Sequence, residues 1–173
     1  RNVADRVRKA VPFLTFDADP YLVVDSNGNL KWILDGYTTS EYYPYSQTYN
    51  GINYIRNSVK AVVDAYNGDV NVYLIDRNDP IIKCYMDIYP GVILDEEFPE
   101  DLKEHIIYPE YLFKIQSQVY GKYHVDSENS FYNRSDEWVF ATEKYFNETK
   151  SIAPYYNLLK IDEFPESDCN FVL

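Results

Sequence analysis

The sequence predicts an α+β fold, with a mainly antiparallel sheet built from hairpins and several short helices in the middle of the chain. Two Asn-Gly pairs flanked by β-branched runs indicate the hairpins. Helix-start signals follow in the middle of the chain, and strand-like runs return near its end. This order favours α+β over an alternating βαβ array. The 173 residues fit one domain, and we interpret residues 1–173 as a single domain.

The two hairpins are the clearest elements of the sequence. Each Asn-Gly pair lies between two strand-like runs, 21–25 and 30–34 around Asn27-Gly28, and 59–65 and 70–75 around Asn67-Gly68. Residues 59–65 also fit a helical face, but the second turn signal favours a strand. Because Asn and Gly both tolerate positive φ, we expect two-residue turns at both sites and one sheet containing all four strands.

Proline and capping residues predict the helices. These signals bracket four amphipathic stretches, at residues 3–11, 80–88, 99–106 and 109–122. Strand-like composition returns at residues 138–146 and 152–161. Residues 36–53 are polar, rich in tyrosine and without a period, which indicates a long loop. The chain opens in what reads as mid-helix and closes on an apolar run that reads as an unfinished strand, so we expect an excerpt of a larger protein.

The composition limits the classes of partner. The formal net charge is −12, which disfavours nucleic acid and anionic membrane surfaces because both attract Lys and Arg. No apolar run approaches the roughly 18 residues of a membrane span. The 19 tyrosines are the main departure from average composition, and tyrosine suits strand faces as well as recognition surfaces. Of the two cysteines, we expect Cys84 to be free and buried.

One segment has the composition of a binding surface. Residues 35–47 combine hydroxyl groups and aromatic rings, as do surfaces that bind glycans or peptides. The candidate ligand-binding residues are Tyr37, Thr38, Thr39, Ser40, Tyr43 and Tyr45. The alternative is a structural loop folded over the sheet, with its hydroxyls bonded to backbone. We expect a mixture of the two, in which Tyr37 and Tyr45 are partly buried and Tyr42 or Tyr43 is exposed.

Other candidate sites have simpler structural explanations. Residues 25–29 begin like a calcium loop but are not followed by the glycine and glutamate that such a loop requires. The acidic run at residues 95–104 flanks a helix start, where negative charge is favourable. His105 and His124 are the only histidines, and their spacing matches no metal motif. We therefore expect no cofactor and no tightly held metal, which elemental analysis of dialysed protein would test.

Several long motifs together resemble a known protein family, the bacterial membrane proteins grouped as uncharacterised protein family 0182. The resemblance covers residues 2–161. The motifs are FDADPYLV at 16–23, WILDGYTTS at 32–40, YPYSQ at 43–47, NYIRNSVKAVVDAY at 53–66, YPEYLF at 108–113 and FYNR at 131–134.

The resemblance implies an architecture and a location, but no mechanism. Family members resemble multi-pass membrane proteins with a large extracytoplasmic region, of which this chain would be the first part. The implied location is the extracytoplasmic side of the cell membrane. The implied partners are the membrane-spanning part of the same protein and an envelope glycan or protein. The family has no established activity, so the resemblance assigns no catalytic residue.

Three functional hypotheses follow from the sequence. The first is a non-catalytic binding or scaffold module of the cell envelope. The second is an envelope hydrolase that uses paired carboxylates, either Asp17 with Asp19 or Asp35 with the hydroxyl-rich segment. Such an enzyme would bring two carboxylates together in a cleft and raise the pKa of one of them. The third is a scaffold stabilised by divalent cations, for which melting with and without calcium is the test.

Overall fold

The protein consists of two compact units in a computed structural model that describes residues 2–160 and 170–173. The units are Arg1–Ile107 and Tyr108–Leu173. The predicted α+β class is confirmed, since antiparallel sheets are accompanied by short helices. The first unit contains α1 (Val3–Ala10), β1 (Thr15–Phe16), β2 (Tyr21–Val24), β3 (Leu30–Ser40), β4 (Tyr54–Asp64), β5 (Val70–Leu74), α2 (Pro80–Ile88) and α3 (Glu100–Lys103).

A five-stranded antiparallel sheet forms the centre of the first unit. The long strands β3 and β4 pair with each other along most of their length. Strand β5 pairs with β4 on one side, and β1 and β2 both pair with β3 on the other side. The predicted strand at residues 59–65 is therefore present, and β2, β3 and β4 each lie beside the next strand in sequence, as hairpins require.

Both faces of this sheet carry buried side chains. One face packs against α1 and α2, in a cluster that includes Val7, Leu34 and Ile82. The opposite face packs around α3, in a cluster that includes Ile33 and Leu102. Because neighbouring residues of a strand point to opposite faces, consecutive residues of β3 contribute to both clusters. Strand β3 therefore lies between the two clusters, and within the sheet it has neighbouring strands on both sides.

The first predicted hairpin forms, but its turn is longer than expected. Asp25 N donates a hydrogen bond to the Asn29 carbonyl at 2.9 Å, so the connection consists of residues 26–28. Gly28 has a φ of +83°, whereas Asn27 does not have a positive φ. A type I′ turn needs positive φ at both central residues, and a longer connection of this kind needs it at one. The prediction of a two-residue turn was therefore wrong.

The second predicted hairpin departs in the same way. Asp64 N donates to the Asp69 carbonyl at 3.0 Å, which makes residues 65–68 the connection. Gly68 has a φ of +77°. Asp64 also accepts hydrogen bonds from the backbone N–H groups of Tyr66 and Asn67, at 2.9 and 3.0 Å. These bonds to the aspartate side chain stabilise a wider turn than the Asn-Gly pair alone would form.

A two-residue turn does occur, at a third Asn-Gly pair that sequence analysis did not single out. Asn50 and Gly51 have φ values of +47° and +87°. On either side, Tyr49 and Ile52 exchange two backbone hydrogen bonds, of 2.7 and 3.0 Å. Positive φ at both central residues is the signature of a type I′ turn.

Valine in place of Gly28 or Gly68 is expected to lower the free energy of unfolding by about 1–3 kcal/mol, because positive φ strains a β-branched residue. Nothing lies within 4 Å of a Cβ added at Gly28, so the cost there comes from the backbone alone. Urea denaturation measures the effect. Gly28→Asn is the control and should cost less, since Asn tolerates this conformation. Equal stability of Gly28→Val and the unaltered protein would contradict the prediction.

The tyrosine-rich segment is a loop only in part. Composition predicted a loop over residues 36–53, but β3 continues to Ser40 and β4 begins at Tyr54. Gly36 explains the continuation, because a Cβ there would lie 2.5 Å from Val59 Cγ2. Only glycine allows the strands to approach this closely. The loop is therefore confined to residues 41–53.

The described part of the second unit contains two helices and two strand pairs. Its elements are α4 (Glu110–Tyr123), α5 (Glu128–Asn133), β6 (Thr142–Tyr145), β7 (Glu148–Ser151), β8 (Asn157–Leu159) and β9 (Asn170–Val172). Strand β6 pairs with β7 and β8 with β9, both antiparallel. The strands predicted at 138–146 and 152–161 are thus shorter than expected, and residue 161 lies outside the described residues. Helix α5 and strand β7 were not predicted.

The two cysteines have different outcomes. Cys84 was predicted to be buried but is exposed, because α2 turns Ile82 toward the sheet instead. Cys169 lies outside the described residues.

Within residues 2–160 and 170–173, no helix has both the length and the apolar character needed to cross a membrane.

Candidate functional site

A change of register between β3 and β4 lies beside buried polar side chains of the first unit. Gly36 pairs with Val59, but Thr38 pairs with Arg56. Asn57 and Ser58 therefore lie opposite Tyr37 alone, which is the arrangement of a β-bulge. The bulge brings the hydroxyl of Ser58 within 3.1 Å of the hydroxyl of Thr38.

Asp79 is the centre of a buried polar cluster. Its side chain accepts hydrogen bonds from Ser58 Oγ at 2.5 Å, from Tyr54 OH at 2.7 Å and from the hydroxyl of Thr38. It also caps α2, accepting the N–H of Ile81 at 3.0 Å. Thr38, Ser58 and Asp79 are all buried. We name Thr38, Tyr54, Ser58 and Asp79 the Asp79 cluster.

These contacts set the protonation of the cluster. Burial raises the pKa of Asp79. The hydrogen bonds donated by Ser58, Thr38, Tyr54 and the Ile81 N–H together lower this pKa by more than burial raises it, so the pKa lies below its usual value. The pKa of Tyr54 is raised, first by burial and then by its bond to Asp79. The carboxylate is therefore ionised and the phenol protonated at neutral pH. An acid catalyst would need the opposite shift at the carboxyl group.

Acid is expected to destabilise the first unit partly through Asp79. Its folded pKa lies below the ordinary value of 3.8. Its stabilisation is therefore complete above the unfolded pKa and is lost as pH falls through the folded pKa. In urea unfolding at about pH 7 and about pH 3, the stability gap between the unaltered protein and Asp79→Asn should shrink at the lower pH. A gap independent of pH would contradict this assignment.

An aromatic stack leads from the Asp79 cluster to the surface. The ring of Tyr54 stacks on that of Tyr43, with centroids 5.1 Å apart and planes at 25°. The guanidinium of Arg56 lies 5.9 Å from the centre of the Tyr54 ring and forms an ion pair with Asp76 at 2.8 Å. Tyr54 is thus held at its hydroxyl by Asp79 and at its ring by Arg56, so it offers Tyr43 a fixed support.

Hydrogen bonds also hold the backbone of the loop at Tyr43. Tyr43 N donates to Asn53 Oδ1 at 2.9 Å, and Asn53 Nδ2 donates to the Tyr43 carbonyl at 2.8 Å. Ser46 Oγ donates to the Asn53 carbonyl at 2.7 Å. Tyr43 therefore has a fixed backbone and a supported ring while remaining 51% exposed. Its neighbours Tyr42 and Tyr45 project freely into solvent, with exposures of 88% and 109%.

The structure separates the six candidate binding residues into two groups. Tyr37 and Thr38 are fully buried on β3, and Thr39 and Ser40 are half-buried at its end. Tyr43 and Tyr45 are exposed in the loop. The expectation that Tyr37 and Tyr45 are partly buried was wrong in opposite directions, because β3 takes Tyr37 into the core and a left-handed backbone turns Tyr45 outward.

Of the carboxylates considered for hydrolysis, Asp17 and Asp35 have structural partners and Asp19 is exposed. Asp35 lies opposite Lys60 in the sheet and forms an ion pair with it, and both side chains are 3% exposed. Asp17 accepts a hydrogen bond from Tyr37 OH at 2.9 Å. Sequence reasoning missed Lys60, Ser58 and the central role of Asp79. A lysine within a β-branched run was the one available signal for the ion pair.

In the described part of the chain, the histidines and the acidic run belong to no group that could bind a metal ion. Within residues 2–160 and 170–173, no group of three or more His, Cys, Asp or Glu side chains could hold a metal ion. His124 stacks on Trp138 with centroids 3.9 Å apart. Of the acidic run, Asp95 pairs with Arg77, and Glu100 pairs with Lys103 at 2.5 Å.

Comparisons with known proteins identify the group that this chain resembles. The model of the uncharacterised protein family UPF0182 matches residues 1–173. A UPF0182 protein of Caldicellulosiruptor saccharolyticus is 46% identical over 94% of this chain. UPF0182 proteins of Desulforamulus reducens and Desulfitobacterium hafniense are 50% and 49% identical over 91% and 96% of this chain. The chain spans only 17–18% of the length of these relatives. No solved structure matches it.

Proposed function

Since this chain belongs to the uncharacterised protein family UPF0182, we propose that it is a non-catalytic binding module on the extracytoplasmic side of the bacterial cell membrane, within a longer membrane protein. The observation that carries the proposal is the exposed and immobilised ring of Tyr43. Exposed tyrosines bind partners best when the cost of ordering them has been met before binding. Asn53 and Tyr54 fulfil that condition at Tyr43.

The composition of the loop favours a protein as the partner. Residues 41–53 contain four Tyr, two Asn, one Ser and one Gly, and Glu41 is the one charged residue among them. Antibody binding loops are enriched in these residue types, because tyrosine provides contact area at low entropic cost and the small polar residues adapt their hydrogen bonds. With a net charge of −12 on the chain, a partner with a basic surface would associate fastest. An envelope glycan is the alternative partner.

The interior supports a binding role over hydrolysis. The buried carboxylate of Asp79 is held ionised by four hydrogen bonds that also cap a helix and anchor Tyr54. Asp35 is neutralised by Lys60. The pKa of Asp79 is lowered, whereas a general acid requires a raised pKa. Both carboxylates are placed to hold strands and loop together.

Replacing Tyr43 with alanine is expected to abolish capture of the envelope partner while leaving the fold intact. Hot-spot aromatics cost at least about 2 kcal/mol of binding when truncated, or roughly thirtyfold in affinity. The assay presents the immobilised chain with solubilised envelope proteins and, separately, with purified cell-wall glycan. Tyr66→Ala is the matched control, since Tyr66 is also exposed in a turn, at 74%. Equal loss in both variants, or no loss in Tyr43→Ala, would contradict the proposal.

The location is tested in cells that express a full-length family member without other accessible cysteines. A cysteine at the position of Tyr66 is expected to react in intact cells with a maleimide that does not cross membranes, because this turn is exposed. Reaction only after the cells are permeabilised would place the unit on the cytoplasmic side and end the extracytoplasmic assignment.

A further inference from the structure

The second unit buries few of its described side chains. Among residues 108–160 and 172–173, only Pro109, Ile115 and Gly121 are buried. Every residue of β6, β7 and β8 is exposed. A self-sufficient domain has a contiguous cluster of buried apolar residues, as the first unit does on both faces of its sheet. The described part of the second unit has no comparable core.

Strand β8 is uncovered on both of its faces. Leu158 and Leu159 follow one another in the strand and are 68% and 48% exposed. Consecutive side chains of a strand point to opposite faces, so each face of β8 carries an exposed leucine. A two-stranded pair of this kind is marginally stable in water unless another layer packs against it.

The β6–β7 hairpin and the segment before it expose further large apolar side chains. Phe146 in the turn is 88% exposed, and Val139 is 85% exposed. Scattered apolar residues are ordinary on protein surfaces, but a concentration of them indicates a contact region. Exposed aromatic residues are typical of the central part of protein interfaces.

We propose that the strand pairs β6–β7 and β8–β9 form a docking surface for polypeptide of the same longer protein that lies outside the present chain. The length of the relatives argues for this occupant, because the chain spans only 17–18% of three of them. Covalent linkage gives a neighbouring segment an effective concentration of about millimolar for short linkers. A second copy of the chain must come from solution, so the linked segment has the advantage.

The test compares the isolated chain with a full-length family member by thiol labelling. Single cysteines replace Phe146 or Leu158, or the residues at the equivalent positions, in a background carrying Cys84→Ser and Cys169→Ser. Both positions should react rapidly in the isolated chain and about tenfold or more slowly in the full-length protein, a protection that needs only about 1.4 kcal/mol of docking. A cysteine at Tyr66, in the first unit, should react equally fast in both.

Two outcomes would overturn the proposal. Equal labelling of Phe146→Cys and Leu158→Cys in both proteins would show that no linked segment covers the surface. Protection that appears in the isolated chain as its concentration rises, together with dimers in sedimentation velocity, would assign the surface to a second copy. Neither outcome involves Tyr43, so this proposal and the proposed binding function can fail independently.

Discussion

Replacing Asp79 with alanine is expected to lower the free energy of unfolding by about 4 kcal/mol, among the largest effects of any single substitution in the first unit. The substitution leaves the hydroxyls of Thr38, Ser58 and Tyr54 without their common acceptor inside the protein. A buried hydroxyl without a partner costs about 1–3 kcal/mol. Loss of the cap of α2 adds about 1 kcal/mol. Urea denaturation followed by circular dichroism measures the sum.

A second helix cap provides the control for Asp79. Asn2 caps α1 and accepts the N–H of Ala4 at 2.9 Å, without a cluster of hydroxyls around it. Asn2→Ala should therefore cost only about 1 kcal/mol, the ordinary price of a lost cap. If Asp79→Ala lowers the free energy of unfolding no more than Asn2→Ala does, the hydrogen bonds from the three hydroxyls do not stabilise the fold measurably, which would contradict the prediction.

The second large effect concerns the buried ion pair of Asp35 and Lys60. Removing one partner leaves the other charge buried and unpaired, so Lys60→Met and Asp35→Leu should each cost about 3–5 kcal/mol. The double variant should recover most of this loss, because apolar side chains of similar volume often replace a buried pair without net cost. A double-mutant cycle in urea measures the coupling between the two positions.

An exposed ion pair serves as the comparison for this cycle. Arg77 and Asp95 also form an ion pair, but their side chains are 55% and 58% exposed. Because solvent screens such pairs, Arg77→Met should change the stability by less than about 1 kcal/mol. A cost for Lys60→Met as small as that of Arg77→Met would contradict the assignment of a buried and dependent charge to Asp35.

The sequence predicted the elements whose signals are local. Asn2 and Asp79-Pro80 begin helices where capping chemistry requires. Alternation of β-branched residues predicted β5, and the turn signal at Asn67-Gly68 predicted β4. The number of residues in each turn could not be predicted from these signals, because an Asn-Gly pair fits several turn types. The side chain of Asp64 decided between them in one case. The two-residue turn formed at Asn50-Gly51, where no β-branched runs flank the pair.

The candidate site was predictable only in its composition. Hydroxyl and aromatic residues were recognised between Tyr37 and Tyr45, but their division into buried and exposed groups depends on how far β3 extends. That extension depends on the contact of Gly36 with Val59 across the sheet. Likewise, Asp79 joins Thr38 and Ser58 from distant parts of the sequence. No local pattern reports a contact between residues so far apart.

The order in which the Asp79 cluster is synthesised has a consequence for folding. Thr38, Tyr54 and Ser58 all precede Asp79 in the chain, so the β3–β4 hairpin leaves the ribosome before the carboxylate that binds its hydroxyls. At about 5–20 residues per second, residues 38–58 are available for a time on the order of seconds before Asp79 is added. Any pairing of β3 with β4 in that interval lacks the common acceptor of the three hydroxyls. Because the same carboxylate also caps α2, we expect completion of the sheet interior to coincide with the start of this helix.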